Sequence, residues 1–274
     1  MGWPGRNGPG EISFPLRVAR RALPNWASRR YLAACEAAGA EYGQKIQRDR
    51  SLVGFEEISS NPLFTYFESY SDGPGIWKPR QYFKVYHRHL AKFVGARVNV
   101  VEIGVYSGGS LRMWRDYFGG QATIYGVDIQ EECRRFEDER IKILIGDQSD
   151  PAFWSEFIRN VPEIDVVIDD GGHEPRHQIP TLEALLPEIR PGGVYICEDI
   201  GGVDNPFHSY LAGLTKNLHS TEMQTEDESR TRTTGFQQTV EAIHTYPFIA
   251  VIEKPQRPIG EFSTAKRGTD WVSF

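Results

Sequence analysis

Cysteine is scarce in this chain of 274 residues: Cys35, Cys133 and Cys197 are odd in number and far apart. That excludes a disulfide framework and fits a reducing compartment, so a cytoplasmic protein is expected. No apolar run approaches the roughly 20 residues that span a bilayer, so no transmembrane segment is expected. The first residues, Met1-Gly2-Trp3-Pro4-Gly5-Arg6, have neither a signal-peptide core nor the Ser/Thr of a myristoylation site. Positive charge is not in excess either. The 31 Lys and Arg stand against 37 Asp and Glu, a net charge of -6, which argues against nucleic acid as the main partner. No internal repeat is visible. What remains, 39% hydrophobic and 25% charged, is an ordinary globular composition, long enough to bury a core.

Residues 1–60 read as a basic, mainly helical N-terminal extension. Up to Arg50 they hold nine basic residues (Arg6, Arg17, Arg20, Arg21, Arg29, Arg30, Lys45, Arg48, Arg50) against four acids. Trp26 to Gln47 is Ala-rich and predicts a helix, with Leu32, Cys35 and Ala38 on a modest apolar face. Such a helix packs on its own domain or on a sister subunit, which makes homo-oligomerisation through this region an expectation. Lying on a membrane surface or gripping a nucleic acid is the alternative. Residues 61–96 read as a loop and a cap helix. Asn61-Pro62 and Ser71-Asp72-Gly73-Pro74-Gly75 are turn formers, and Gln81 to Phe93 carries Tyr82, Phe83, Tyr86, Leu90 and Phe93 at helical spacing.

From residue 97 to 274, short apolar runs alternate with helical stretches. Val98–Ile103, Thr123–Val127, Ile141–Ile145, Ile164–Ile168 and Val194–Cys197 predict strands; 110–118, 130–138, 151–160 and 175–189 predict helices. This alternation gives an α/β fold, a doubly wound, mostly parallel sheet. Runs on either side of Thr245-Tyr246-Pro247-Phe248 predict an antiparallel hairpin at the sheet edge, and polar Ser220–Thr234 predicts a loop that could serve as a lid.

The chemistry gathers at strand ends. Glu102-Ile103-Gly104-Val105-Tyr106-Ser107-Gly108-Gly109-Ser110 follows the first strand and opens a helix, where backbone N–H groups are free. It departs from the dinucleotide fingerprint, because Tyr106 holds the second glycine's place. The Glu before the turn is wrong for a phosphate and right for an ammonium. Asp128 ends the second strand, where an acid accepts from ribose hydroxyls, and Gly146-Asp147-Gln148 ends the third, facing an adenine edge. A ligand with an ammonium, a ribose and an adenine but no phosphate is S-adenosylmethionine. Further along, Asp169-Asp170-Gly171-Gly172-His173 and Glu198-Asp199 each follow an apolar run. Carboxylates gathered there repel one another unless a cation is present, which points to a hard metal ion.

The run Val98–Ser110 with Asp128, Asp147, Asp170 and Pro191-Gly192-Gly193 resembles the class I S-adenosylmethionine-dependent methyltransferases over about residues 97–254. The resemblance implies a Rossmann-like, seven-stranded sheet in the order 3-2-1-4-5-7-6 and makes 97–274 the catalytic domain. It puts Glu102 near the methionine amine, Asp128 on the ribose and Asp147 on the adenine. Gly104, Tyr106, Ser107, Gly108, Ser110, Gln148 and Asp170 complete the expected cofactor contacts. Asp170-x-x-His173 followed by Glu198-Asp199 is similar to the Mg-dependent macrolide-sugar O-methyltransferase and cephalosporin hydroxylase-like family. That likeness implies Asp170, Glu198 and Asp199 as Mg²⁺ ligands and His173 as the base, with a hydroxyl of a sugar or glycoside as acceptor. Coordination lowers the pKa of such a hydroxyl, and an imidazole, ordinarily near 6.5, can take its proton. Asp169 is expected to orient a neighbour. The family's His-containing segment before the sheet is Ile76-Trp77-Lys78-Pro79-Arg80-Gln81-Tyr82 here, without a histidine.

His173-Glu174-Pro175-Arg176-His177 also spells the zinc-protease motif, but Pro175 belongs in a first helical turn and leaves His173 outside the helix. His87, His89 and His177 read as surface or supporting residues, and His208 as a loop residue within reach of substrate. No Ser or Cys is placed as a nucleophile, so a direct displacement is expected. Two alternatives stand. One is a hydroxylase-like oxygenase, whose iron would ask for two His and one carboxylate. The other is a non-catalytic S-adenosylmethionine-binding partner subunit.

Overall fold

The computed structural model describes residues 25–46, 61–220 and 230–270. The chain divides into two compact units at Glu57/Ile58. In the first, the described residues form helix α1, Asn25–Ile46. It is exposed from Arg29 onward, Leu32 and Cys35 included, and carries a Glu41–Lys45 pair one turn apart.

The second unit opens with α2, Pro62–Ser69, where a loop was expected. The Asn61 side chain accepts from the N–H groups of Leu63 and Phe64, and Pro62 fills the first turn, where no N–H is needed. Asn-Pro is therefore a helix start here. Helix α3, Tyr82–Leu90, continues into a 3₁₀ turn over Ala91–Phe93. Then the alternation begins: β1 Asn99–Ile103, α4 Gly109–Phe118, β2 Thr123–Asp128, a 3₁₀ segment Glu131–Phe136, and β3 Ile141–Ile145. It continues with α5 Pro151–Asn160, β4 Ile164–Asp169, α6 Pro175–Leu185, β5 Ile189–Cys197 and α7 Pro206–Leu218. The chain closes with β6 Arg230–Arg232, α8 Gly235–Thr239, β7 Ala242–Tyr246, β8 Ile249–Glu253 and β9 Glu261–Ser263.

The main sheet runs β3-β2-β1-β4-β5-β8-β7, parallel except for the antiparallel β5–β8 and β8–β7 pairs. This is the implied order, with labels shifted because β6 pairs with β9 in a separate ribbon. The ribbon was not foreseen: residues 230–232 fall in the expected 220–234 loop, of which 221–229 lie outside the described residues. Residues 1–24 and 47–60, most of the predicted basic extension, lie outside them too.

Alternate strand residues serve the two faces, as pleating requires. Val100, Val166, Ile168, Val194, Ile196 and Val251 join a core with Tyr86, Trp114 and Phe118 under α3 and α4. Val101, Val167, Tyr195 and Ile252 join Trp154, Phe157, Leu185 and Phe207 under α5, α6 and α7. Both faces are covered, so a carboxylate at a strand's carboxyl end meets either a ligand crevice or a buried partner.

Candidate functional site

A cavity of about 930 Å³ opens at the carboxyl ends of β1, β2, β3 and β4. Its back wall is the turn after β1. Gly104 has φ +90°, and a Cβ there would strike the backbone of Asp170, so glycine lets the turn pass against the β4 loop. Tyr106 is held at φ +49°, a costly conformation for a tyrosine, with its ring exposed on the cavity wall. Asp128 holds that conformation. Its Oδ2 accepts from the N–H groups of Val105 and Tyr106 at 2.9 and 3.0 Å, and its Oδ1 from Gln130 at 2.9 Å. A carboxylate has about four acceptor positions, so little is left over for a ribose.

Gly104, Tyr106, Ser107, Ser110, Asp128, Asp147, Gln148, Asp170, His173 and Asp199 all reach the cavity wall. Glu102, Gly108 and Glu198 lie off that wall. Gly108 caps α4 in the left-handed region, with the Phe136 ring where a Cβ would be. Glu102 is wholly buried, accepting from Trp114 Nε1 at 3.0 Å and Ser110 Oγ at 2.9 Å. Burial raises its pKa against the pull of those donors and of Lys78. Gln148 reaches the wall mainly as a tie. It accepts from Gly172 N–H at 2.6 Å and donates to Asp169 and Thr181, both at 3.1 Å. Asp147 faces the cavity with its pKa lowered by the N–H and hydroxyl of Ser149. Asp169 is the buried orienter, accepting from Tyr195 at 2.9 Å, and burial pushes it up to about 6.

At the β4 and β5 ends, Asp170, His173 and Asp199 converge. His173 Nε2 lies 4.0 Å from Asp170 Oδ1 and 3.8 Å from Asp199 Oδ2. His173 and Asp199 both sit at φ +54°, strained positions of the kind that gather at functional sites. Pro175 starts α6 and leaves His173 in the preceding loop, as the sequence reading required. Tyr82 on α3 fixes Asp199 from behind, donating to Oδ1 at 2.6 Å and accepting from the Asp199 N–H at 3.2 Å. His208 lies on α7, exposed and off the cavity wall.

The residue that sequence reasoning missed is Lys78. Its side chain is 2% exposed, and its ammonium lies 2.5 Å from Asp170 Oδ2, 3.0 Å from Glu198 Oε2 and 3.6 Å from Glu102 Oε1. Burial pulls its pKa down, but the three carboxylates outweigh burial and the net shift is upward. One ammonium cannot neutralise three acids. Burial drives Glu198 toward its protonated form even against Lys78. Thus the inner carboxylates already have a cation, supplied by the protein. Nothing in the run Trp77-Lys78-Pro79 announced this.

The remaining oxygens fit a hard divalent ion. Asp170 Oδ1 and Asp199 Oδ2 face the cavity beside His173, and these groups lie within 4.8 Å of one another. Two carboxylates plus waters is how magnesium is commonly held. Lys78 takes Glu198 Oε2, so Glu198 could join only through its other oxygen, Oε1, which is buried without a hydrogen-bond partner.

Residues 101–200 match a family model described as a methyltransferase domain. Residues 101–200 are a methyltransferase domain. Over a longer stretch, the chain is 37% identical across 188 residues to demethylmacrocin O-methyltransferase of Streptomyces fradiae, covering 62% of this chain and 47% of that protein. It is 34% identical over 201 residues to 8-demethyl-8-alpha-L-rhamnosyl tetracenomycin-C 2'-O-methyltransferase of Streptomyces olivaceus, covering 66% and 52%. Among solved structures, it is similar to MycE methyltransferase from the mycinamycin biosynthetic pathway in complex with Mg, SAH and mycinamycin VI. The TM-score is 0.59 at 28% identity, over 72% of this chain and 53% of that one. The chain thus spans about half the length of the curated relatives it matches.

Proposed function

We propose that this chain moves a methyl group from S-adenosylmethionine to a hydroxyl of a sugar borne on a natural product, with Mg²⁺ at the cavity floor. The observation that carries this reading is the Asp170–His173–Asp199 cluster opening into the same cavity as the Gly104–Ser107 turn. The names of the similar proteins, sugar O-methyltransferases and a methyltransferase solved with Mg and SAH, support it. When bound, the ion would acidify and orient the acceptor hydroxyl.

The protein's own groups do the rest. The glycine turn, braced by Asp128, shapes the wall against which the adenosyl group lies. Asp170 and Asp199 would hold the ion, and Tyr82 keeps the Asp199 carboxylate aimed. His173 removes the acceptor proton as the methyl carbon is attacked, from a loop that Gln148 pins through Gly172. The oxygenase alternative asks for two imidazoles at the ion, and this cluster has one. A cytoplasmic location is part of this reading, in keeping with three free thiols.

The test uses labelled S-adenosylmethionine with rhamnosylated and other deoxysugar-bearing acceptors. Methyl incorporation should require Mg²⁺ and vanish in His173→Ala. Transfer that survives chelation and the His173 substitution would overturn the assignment.

A further inference from the structure

A second group of metal-ligating side chains lies at the sheet edge, apart from the cavity. Helix α3 contributes His89, the edge strand β7 His244, and β8 Glu253. The register pairs Ala242 with Glu253 and His244 with Val251, so His244, Tyr246 and Glu253 share the sheet face that carries Val251 and meets α3. The two imidazoles converge on one carboxylate. His89 Nδ1 lies 3.1 Å from Glu253 Oε1, and His244 Nε2 lies 3.0 Å from Glu253 Oε2. The ring centroids are 4.8 Å apart.

We propose that His89, His244 and Glu253 form a zinc site that clamps α3 to the edge hairpin. Two imidazole nitrogens and one carboxylate are a borderline donor set, suited to Zn²⁺ rather than to magnesium. Zinc bonds of about 2.0–2.1 Å in a tetrahedron put ligand atoms roughly 3.3–3.4 Å apart. The three ligand atoms lie within 4.8 Å of one another, each imidazole now bonded to a different oxygen of Glu253, so binding draws the two rings together around the ion. A second observation points the same way. Zinc-ligating histidines direct their other ring nitrogen to an oxygen that fixes orientation and tautomer; His89 Nε2 lies 2.9 Å from the Tyr246 hydroxyl. Burial is graded as entry requires. The His89 side chain is 4% exposed, while those of Glu253 and His244 are 24% and 37% exposed, leaving room for a water as fourth ligand. Lys92 approaches Glu253 Oε1 at 3.7 Å, but its side chain is 38% exposed and can turn to solvent.

The consequence reaches the cavity through α3. Tyr82, in the first turn of that helix, holds Asp199, and His89 lies two turns further along. Zinc therefore anchors the helix that positions one wall of the methyl-transfer site. The proposal does not depend on the reaction assigned there.

Cobalt(II) is the probe, read by its visible ligand-field bands and by titration calorimetry on the whole chain; Zn²⁺ is then added to displace it. The wild type should bind one Co²⁺ at this site with four-coordinate bands, and Zn²⁺ should remove them. His244→Ala and Glu253→Gln, at partly exposed positions that leave the core intact, should abolish the bands. Tyr246→Phe should weaken binding about 10- to 100-fold. Asp170→Asn and Asp199→Asn should leave the bands unchanged. No four-coordinate Co²⁺, bands that persist in His244→Ala and Glu253→Gln, or bands lost with Asp170 or Asp199 would each overturn the site.

Discussion

Replacing Lys78 by methionine keeps the length of the side chain and deletes its charge. Three carboxylates, Glu102, Asp170 and Glu198, would then face one another, two of them wholly buried. Removing one partner of a buried ion cluster costs about 3–5 kcal/mol, because the remaining charge is left uncompensated. For a folding unit of 150–250 residues each kcal/mol lowers Tm by about 2–4 °C, so a loss of roughly 6–20 °C is expected. The loss should depend on pH. Burial raises the folded pKa of Glu198 even with Lys78 present, and removing the ammonium raises it further. A carboxyl with a raised folded pKa costs stability once pH exceeds its unfolded value, and the cost grows until pH passes the folded one. Lys78→Met should thus be mild near pH 5 and severe near pH 8. Calorimetric melts at both pH values check this, and the Lys78→Met/Glu198→Gln double variant should recover part of the loss. Tm within about 2 °C of wild type at pH 8, or strict additivity of the two substitutions, would refute the argument.

Three further outcomes follow from named contacts. Gly104→Ala should cost about 1–3 kcal/mol from its backbone conformation alone and abolish S-adenosylmethionine binding in calorimetry, since the turn cannot stay against Asp170; retained affinity would contradict the close approach. Tyr82→Phe removes a hydrogen bond to a partly exposed carboxylate, worth about 1.5 kcal/mol at most in stability, yet it should weaken Mn²⁺ binding measured by paramagnetic resonance; unchanged affinity would mean Asp199 needs no such brace. Burial, and next Asp128, push the Cys133 thiol up to about 11. Alkylation at pH 7.5 should therefore label exposed Cys35 and spare Cys133, whose rate climbs only as pH approaches 11 and the thiolate forms; Asp128→Asn should hasten it.

The strands were legible because each is a short apolar run covered on both faces, and Asp170, His173 and Asp199 because they follow such runs directly. Strand order came from the resemblance, since nothing in an apolar run says which neighbour it takes. The α2 start was misread although its signal was present: Asn-Pro serves turns and helix starts alike, and the apolar Leu63 and Phe64 that follow decide for the helix. The ammonium that Glu102 meets in this structure is that of Lys78, 24 residues before it, which the strand-end pattern did not announce. Lys78 itself, the β6–β9 ribbon and the His89–His244–Glu253 cluster were illegible for one reason. Each depends on a tertiary approach, across 120 residues for Lys78 and Glu198 and 164 for His89 and Glu253, that no local spacing encodes.

The Lys78 ion cluster also bears on protein engineering. Segment 61–96 would be the natural piece to exchange between related enzymes when a new acceptor is wanted, since it precedes the sheet and borders the cavity. Yet one residue of it forms ion pairs with carboxylates contributed by β1 and by the β4 and β5 ends. A graft that brings no lysine at position 78 would strand those acids, and a recipient lacking them would bury an unmatched ammonium. Chimeras must therefore move Lys78, Glu102, Asp170 and Glu198 as one heritable block.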